Sequence, residues 1–292
     1  MTIGDQTILV KESVPVVSIR KFRRNNTQLA WLVGNGSVSA AAAEYLKLMT
    51  KVRRNIVIAG GTGAGETSLL NALSAEIDPH DRIVVIEDTS ELQLQQPHTI
   101  YLESRPPGPD GKGAVTIREL FVASLRMRPD RILVGECRRG EALDLVQSML
   151  SGHDGALTTV HATTPALALV RLETLCLMND LGMPVHVART QVASAIQVVV
   201  QVARMPADGS RRVVAISEVL GLRPATHQSD SRYRMRTIFR WPTGSTRKSP
   251  DSVTSDADAG WTGRRSCFAA HVRESEFQKE IKLTREIFGC QQ

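Results

Sequence analysis

The chain has 292 residues, 42% of them hydrophobic, which is enough apolar material for one large domain with a real core, or a core domain with small appendages. Its formal net charge of +6 sits mostly at the C-terminal side, where residues 222–292 hold 13 Lys and Arg against 8 Asp and Glu, a surplus of 5. There is no apolar run of the roughly 18 residues that a membrane span needs, residues 1–10 lack the basic start and apolar stretch of a secretory signal, and aromatics at 4% are too few for a base-stacking nucleic-acid surface.

Three parts are expected. Residues 1–52 are short and mixed: an extended segment at 14–20 (Val-Pro-Val-Val-Ser-Ile-Arg), a basic run at 21–24, and an alanine-rich helix over 37–49 that Ser39 is placed to cap. Residues 53–221 repeat a strand, turn and helix. The apolar run 55–59 ends in a glycine loop, and Leu69, Leu70 and Leu73 recur at helical spacing after it. Residues 83–86 form a second apolar run that ends in Glu87-Asp88. A third spans 100–102, a helix over 120–127 closes at Pro129, and residues 132–134 form a strand that ends in Gly135-Glu136. Ala142, Leu145, Val146, Met149 and Leu150 line one face of a helix, and the strand 156–160 ends at His161. Strands alternating with helices of this length predict an α/β fold with a mostly parallel sheet covered on both faces, whose ligands sit beyond the strand C-termini. Residues 222–292 lose this rhythm. They are expected to be a basic, solvated and partly disordered tail, with a Ser/Thr/Asp/Gly-rich linker at 244–263 and a charged helix at 273–288. Cys137, Cys176, Cys267 and Cys290 show no disulfide or metal-ligand spacing, which predicts reduced thiols in a cytosolic protein.

Chemistry concentrates at the strand ends. Residues 60–68 read Gly-Gly-Thr-Gly-Ala-Gly-Glu-Thr-Ser, which meets the phosphate-loop pattern G-x-x-x-x-G-K-[ST] at Gly60, Gly65 and Thr67 but places Glu66 where lysine belongs. Gly60, Gly61, Gly63 and Gly65, with Thr62, Ala64, Glu66, Thr67 and Ser68, form the expected nucleotide cradle: glycines let backbone N–H groups face a phosphate, the next helix adds its positive N-terminus, and the Thr67 hydroxyl is placed for Mg²⁺. Glu136, on the acid-tipped strand downstream, suits orienting and deprotonating an attacking water. Glu87 and Asp88 suit holding a hydrated metal or polarising water; a turn or helix cap at Asp88 is the bland alternative. His153 and His161 are open between sensing a γ-phosphate or bridging to Glu136 and a structural role. Among Arg20, Arg23, Arg24, Arg126, Arg128, Arg131, Arg138 and Arg139, two or three are expected to meet phosphoryl charge, and the sequence does not single them out.

Four blocks carry a resemblance: 60–73 (GGTGAGETSLLNAL), 86–97 (IEDTSELQLQQP), 127–141 (MRPDRILVGECRRGE) and 152–165 (GHDGALTTVHATTP). Together, over about residues 14–220, the chain resembles the secretion ATPases of the type II/type IV superfamily, and looks most similar to the CpaF/TadA branch of Flp (tight-adherence) pilus assembly. The resemblance implies a RecA-like P-loop motor that binds ATP and Mg²⁺ and assembles as a homo-oligomer, a hexamer. It implies a cytoplasmic location at the inner membrane against a polytopic platform protein, with no specific nucleic-acid partner. It also implies catalytic roles for Glu136, Glu87, His153 and His161, water-mediated metal holding by Asp88, and phosphate-facing arginines at Arg20 and Arg23. The chain departs from the family at Glu66, in an N-terminal domain expected to be truncated, and in the tail. A non-hydrolysing ring subunit is the alternative that Glu66 raises, and a RecA-like DNA motor a more distant one.

Overall fold

A computed structural model of the chain describes residues 2–3, 6–7, 28–179, 182–223, 232–241, 262 and 266. The described helices are α1 (Leu29–Gly34), α2 (Ala40–Lys51), α3 (Glu66–Ser74), α4 (Ile117–Ser124), α5 (Glu141–Leu150), α6 (Pro165–Leu177) and α7 (Val185–Ala195). The strands of the main sheet are β1 (Ile56–Gly60), β2 (Ile83–Glu87), β3 (Thr99–Glu103), β4 (Arg131–Val134), β5 (Leu157–His161), β6 (Val198–Arg204), β7 (Arg211–Leu222) and β8 (Tyr233–Arg240). Two short strands, Thr2–Ile3 and Gln6–Thr7, pair only with each other. Among the described residues no helix is long and apolar enough to cross a membrane.

The eight strands run in the order β8-β7-β6-β1-β5-β4-β2-β3. The six from β6 to β3 are parallel, and β7 and β8 add an antiparallel edge. The parallel strands are nearly continuous apolar runs because both faces are covered. Ile56 and Ile58, with Ile83 and Val85, pack under α1, α2 and α3. Val57 and Ala59, with Val84 and Ile86, face the other way into the layer of α4 to α7.

Local chemistry sets the ends. Ser39 caps α2 by accepting from Ala42 N, as its position predicted. Thr116 and Glu119 form a reciprocal capping box on α4, and a 3-10 turn, Leu125–Met127, follows before Pro129. Asn55 ties three strands together at their N-terminal ends: its Oδ1 accepts from Gly155 N and Ala156 N, and its Nδ2 donates to Ala195 O. Arg131 at the start of β4 is 2% exposed and donates to Asp81 at 2.9 Å and to Thr50 O at 3.0 Å. It therefore pins the sheet to α2 and is no candidate for meeting phosphate. β8 lies inside the segment expected to be a tail and instead completes the sheet. Its register slips between Tyr233 and Met235 and again between Thr237 and Phe239, so Ile238 and Phe239 are buried side by side. The segment 14–20, the linker 244–263 (apart from Thr262) and the helix expected at 273–288 lie outside the described residues.

Candidate functional site

The site forms where β1, β5, β4 and β2 end side by side. β1 stops at Gly60, the chain turns through 61–65, and α3 begins at Glu66. Gly63 (φ 72°) and Gly65 (φ 104°) take left-handed backbone that only glycine adopts without strain. A Cβ on Gly61 or Gly63 would meet nothing within 4 Å, so the loop is open to an incoming group. The first turn of α3 leaves N–H groups without intrahelical partners, pointing the same way. This frame fits a phosphate chain, and Thr67, the second residue of α3, is partly exposed next to it.

Because β5 lies between β1 and β4, its last residue reaches both neighbours. His161 Nδ1 is 3.3 Å from Glu66 Oε1, and its Nε2 is 3.3 Å from Glu136 Oε1. A neutral imidazole carries one N–H for these two carboxylates, an imidazolium two. Glu136 also receives the Arg138 guanidinium at 2.8 Å, and that guanidinium lies 3.5 Å from Asp88 Oδ2. The Glu136 hydrogen bond is the main cause that raises the Arg138 pKa, and the guanidinium stays charged. The β4 tip is braced from below: Thr159 Oγ1 donates to Gly135 O at 2.7 Å, and Cys137 N to Thr159 O at 3.0 Å.

Glu66 itself is 7% exposed. Its side chain folds back over the end of β1, and its Oε2 accepts from Gly65 N at 3.0 Å. That path exists only because residue 60 has no side chain, since a Cβ there would stand 2.7 Å from Glu66 Cδ. Glu87, 6% exposed, turns away from the loop and grips the chain after it, accepting from Glu91 N and Leu92 N at 3.1 Å. Burial pushes its pKa up to about 7, against the pull of those two N–H groups. The carboxyl expected at a hydrated metal is thus a buried brace. Asp88, next to it, is exposed and accepts from Ser104 Oγ at 2.8 Å; it caps no helix.

His153 does not join this cluster. It precedes β5 at the end opposite His161, where its backbone N donates to Ser148 O, and its Nδ1 is buried without a hydrogen-bond partner. Arg20 and Arg23 lie outside the described residues. Of the arginines left open by the sequence, Arg138 is in the site. Arg211 and Arg212 were not singled out. Arg211, first residue of β7, donates through Nε to Gly63 O at 2.9 Å. It helps line a cleft of about 320 Å³ beside the loop, with Trp31, Asn35, Ser37, Ser68 and Arg212. Among the described residues there is no cluster of three or more His, Cys, Asp or Glu able to hold a metal by itself.

Comparison with known proteins agrees with this geometry. The family model described as "Type II/IV secretion system protein" matches residues 8–287. A putative conjugal transfer protein of Mycobacterium tuberculosis is 39% identical over 201 residues, covering 69% of this chain and 56% of that one. The type IV secretion system protein PtlH of Bordetella pertussis is 43% identical over 175 residues, covering 59% and 51%. The crystal structure of the VirB11 ATPase from the Brucella suis type IV secretion system, in complex with sulphate, superposes with a TM-score of 0.55 at 34% identity, over 64% of this chain and 54% of that one. The chain spans about half the length of these relatives. The phosphate loop at the tip of β1, the acid-tipped β4 one strand away, the RecA-like P-loop ATPase sheet and the family match make one statement: this chain belongs to the type II/IV secretion system protein family.

Proposed function

We propose that the chain is the nucleotide-binding motor subunit of a bacterial secretion or pilus-assembly machine, of the CpaF/TadA type, whose turnover is held low by Glu66. It works as a ring of like subunits, a hexamer, on the cytoplasmic side of the inner membrane against a platform protein. The observation that carries this reading is the convergence of the glycine loop, His161 and Glu136 within 3.3 Å contacts at the ends of β1, β5 and β4.

In this reading the amides of residues 61–65 and the first turn of α3 hold the β- and γ-phosphates of ATP. Mg²⁺, held by the Thr67 hydroxyl and through water by Asp88, supplies charge neutralisation when bound. Glu136 accepts hydrogen bonds from its surroundings and orients the attacking water; Arg138 and His161 fix which way its two oxygens point. Glu87 holds the 88–92 turn, and with it Asp88, at the edge of the site. The cleft lined by Trp31 and Arg211 offers an apolar wall and a guanidinium to the nucleoside end. Arg20 and Arg23 are retained as phosphate-facing residues, whereas the position of His153 favours a structural role.

A loop lysine about 4 Å from a phosphate charge contributes roughly 4 kcal/mol at an effective dielectric of about 20, and a glutamate reverses the sign. A third of the resulting swing of about 8 kcal/mol, roughly 2.7 kcal/mol, is already a factor of about a hundred. We therefore expect ATP turnover at least about a hundredfold below that of Glu66→Lys, and loss of the gain when Glu136→Gln is added. Equal, measurable rates for the chain and Glu66→Lys would reject the claim that Glu66 holds turnover low. The second reading, a non-hydrolysing ring subunit, is favoured by the carboxylate at the Gly65 N–H, and ring formation without turnover in either protein would select it.

A further inference from the structure

Glu66 does more than leave the loop without a cation. Its Oε2 accepts from Gly65 N at 3.0 Å, an amide of the very loop that would meet a phosphate oxygen. Its Oε1 is buried without a hydrogen-bond partner and faces His161 Nδ1 at 3.3 Å. It is the first residue of α3, where the helix dipole favours negative charge. A carboxylate and a phosphate present the same kind of acceptor oxygen to an N–H donor. We propose that the Glu66 carboxylate is an internal ligand of the phosphate loop, occupying the Gly65 N–H in place of a phosphate oxygen and closing the loop to polyphosphate until the side chain turns out.

The proposal rests on the nucleotide-binding reading above and deepens it. Three effects of Glu66 are separable. Absence of the lysine removes an attraction, a defect that any uncharged residue at 66 shares, and the carboxylate charge repels phosphate, an effect that glutamine removes while keeping an acceptor oxygen for the Gly65 N–H. Occupation of the amide is an added competition that a short side chain abolishes. Because the competitor is tethered beside its own site, its effective concentration does not fall on dilution. Opening also has a second consequence: when Glu66 leaves, His161 keeps only Glu136 of its two carboxylate neighbours. The loop and the β4 tip are then linked through one imidazole.

The test compares binding of a fluorescent ADP analogue, with Mg²⁺, to the full chain and to its Glu66→Gln, Glu66→Ala and Glu66→Lys variants. Amide hydrogen exchange at Gly65 is followed in the nucleotide-free proteins, and Glu66→Ser stands in if the alanine variant does not fold. Glu66→Ala is expected to bind at least about tenfold more tightly than the unmodified chain, or about 1.4 kcal/mol, and more tightly than Glu66→Gln, which loses the charge but keeps an acceptor for the Gly65 N–H; its Gly65 amide is expected to exchange faster. Equal affinities for Glu66→Gln and Glu66→Ala, with tight binding by Glu66→Lys, would overturn the internal ligand while leaving the nucleotide reading standing. Unchanged exchange at Gly65 would also overturn it. No binding by Glu66→Lys would remove the nucleotide reading, and the proposal with it.

Discussion

Replacing Glu87 by glutamine separates two demands on that position. Glutamine keeps the shape and an acceptor oxygen for Glu91 N and Leu92 N, but it does not titrate. In the folded chain burial raises the Glu87 pKa from 4.5 to about 7, and the nearby charges of Glu91 and Glu103 push the same way. Between those two pH values the native state keeps a proton that the unfolded chain has released. The contribution of Glu87 to stability is therefore full below pH 4.5 and is lost as the pH rises through about 7. At about 1.36 kcal/mol per tenfold change in proton affinity, the full effect is on the order of 3 kcal/mol, most of which falls between roughly pH 5 and pH 8. Urea unfolding of the chain and of Glu87→Gln at those two pH values reads it directly. Glu87→Gln should gain on the parent by about 2 to 3 kcal/mol on going to the higher pH, on the order of 1 M in the urea midpoint for a slope of about 2 to 3 kcal/mol/M. A difference between the two proteins that does not change with pH would refute the reasoning, because the carboxyl would then titrate alike in both states.

Two further outcomes follow from buried groups away from the loop. Asp81→Ala leaves the Arg131 guanidinium, 2% exposed, without its carboxylate and is expected to cost about 3 to 5 kcal/mol in chemical denaturation. Cys137 and Cys176 have thiols pushed up to about 12 by burial. Iodoacetamide at mildly alkaline pH should therefore leave both unmodified in the native chain and alkylate both in urea, as peptide mass mapping would read.

What the sequence disclosed was local. The glycine loop, the apolar runs that end in Glu87 and Glu136, and the Ser39 cap each depend on a few consecutive residues, and each is where its pattern put it. What it hid depends on partners far along the chain. The strand-end pattern leaves a histidine bridge to Glu136 open, but that His161 rather than His153 makes it, and that it also meets Glu66, follows only from β5 lying between β1 and β4, an order that no periodicity encodes. Arg211 reaches Gly63 across 148 positions. Glu87 and Asp88 look alike as neighbouring acids, yet a strand end sends successive side chains to opposite sides, one into the core and one into solvent. His153 resembles His161 in sequence, but a five-residue strand separates their ends. β8 was missed because two register slips break the alternation that marks a strand.

The loop that departs from its pattern is also internally consistent, which bears on how the departure persists. A carboxylate in the first turn of α3 satisfies the helix dipole, takes the Gly65 N–H and places an acceptor beside His161. A lysine on the same path across Gly60 would have three donors and no acceptor. It would release the Gly65 N–H and bring a second cation-bearing group toward His161. Toward its protein neighbours alone, then, glutamate is locally better matched than lysine; phosphate, with its negative charge, would reverse the balance. A carboxylate at this position is therefore compatible with the local fold. The strand-end residues also have a contact that involves no loop residue, the Arg138 guanidinium on Glu136 and near Asp88. Glu66→Lys should restore a nucleotide site into a frame that is already assembled.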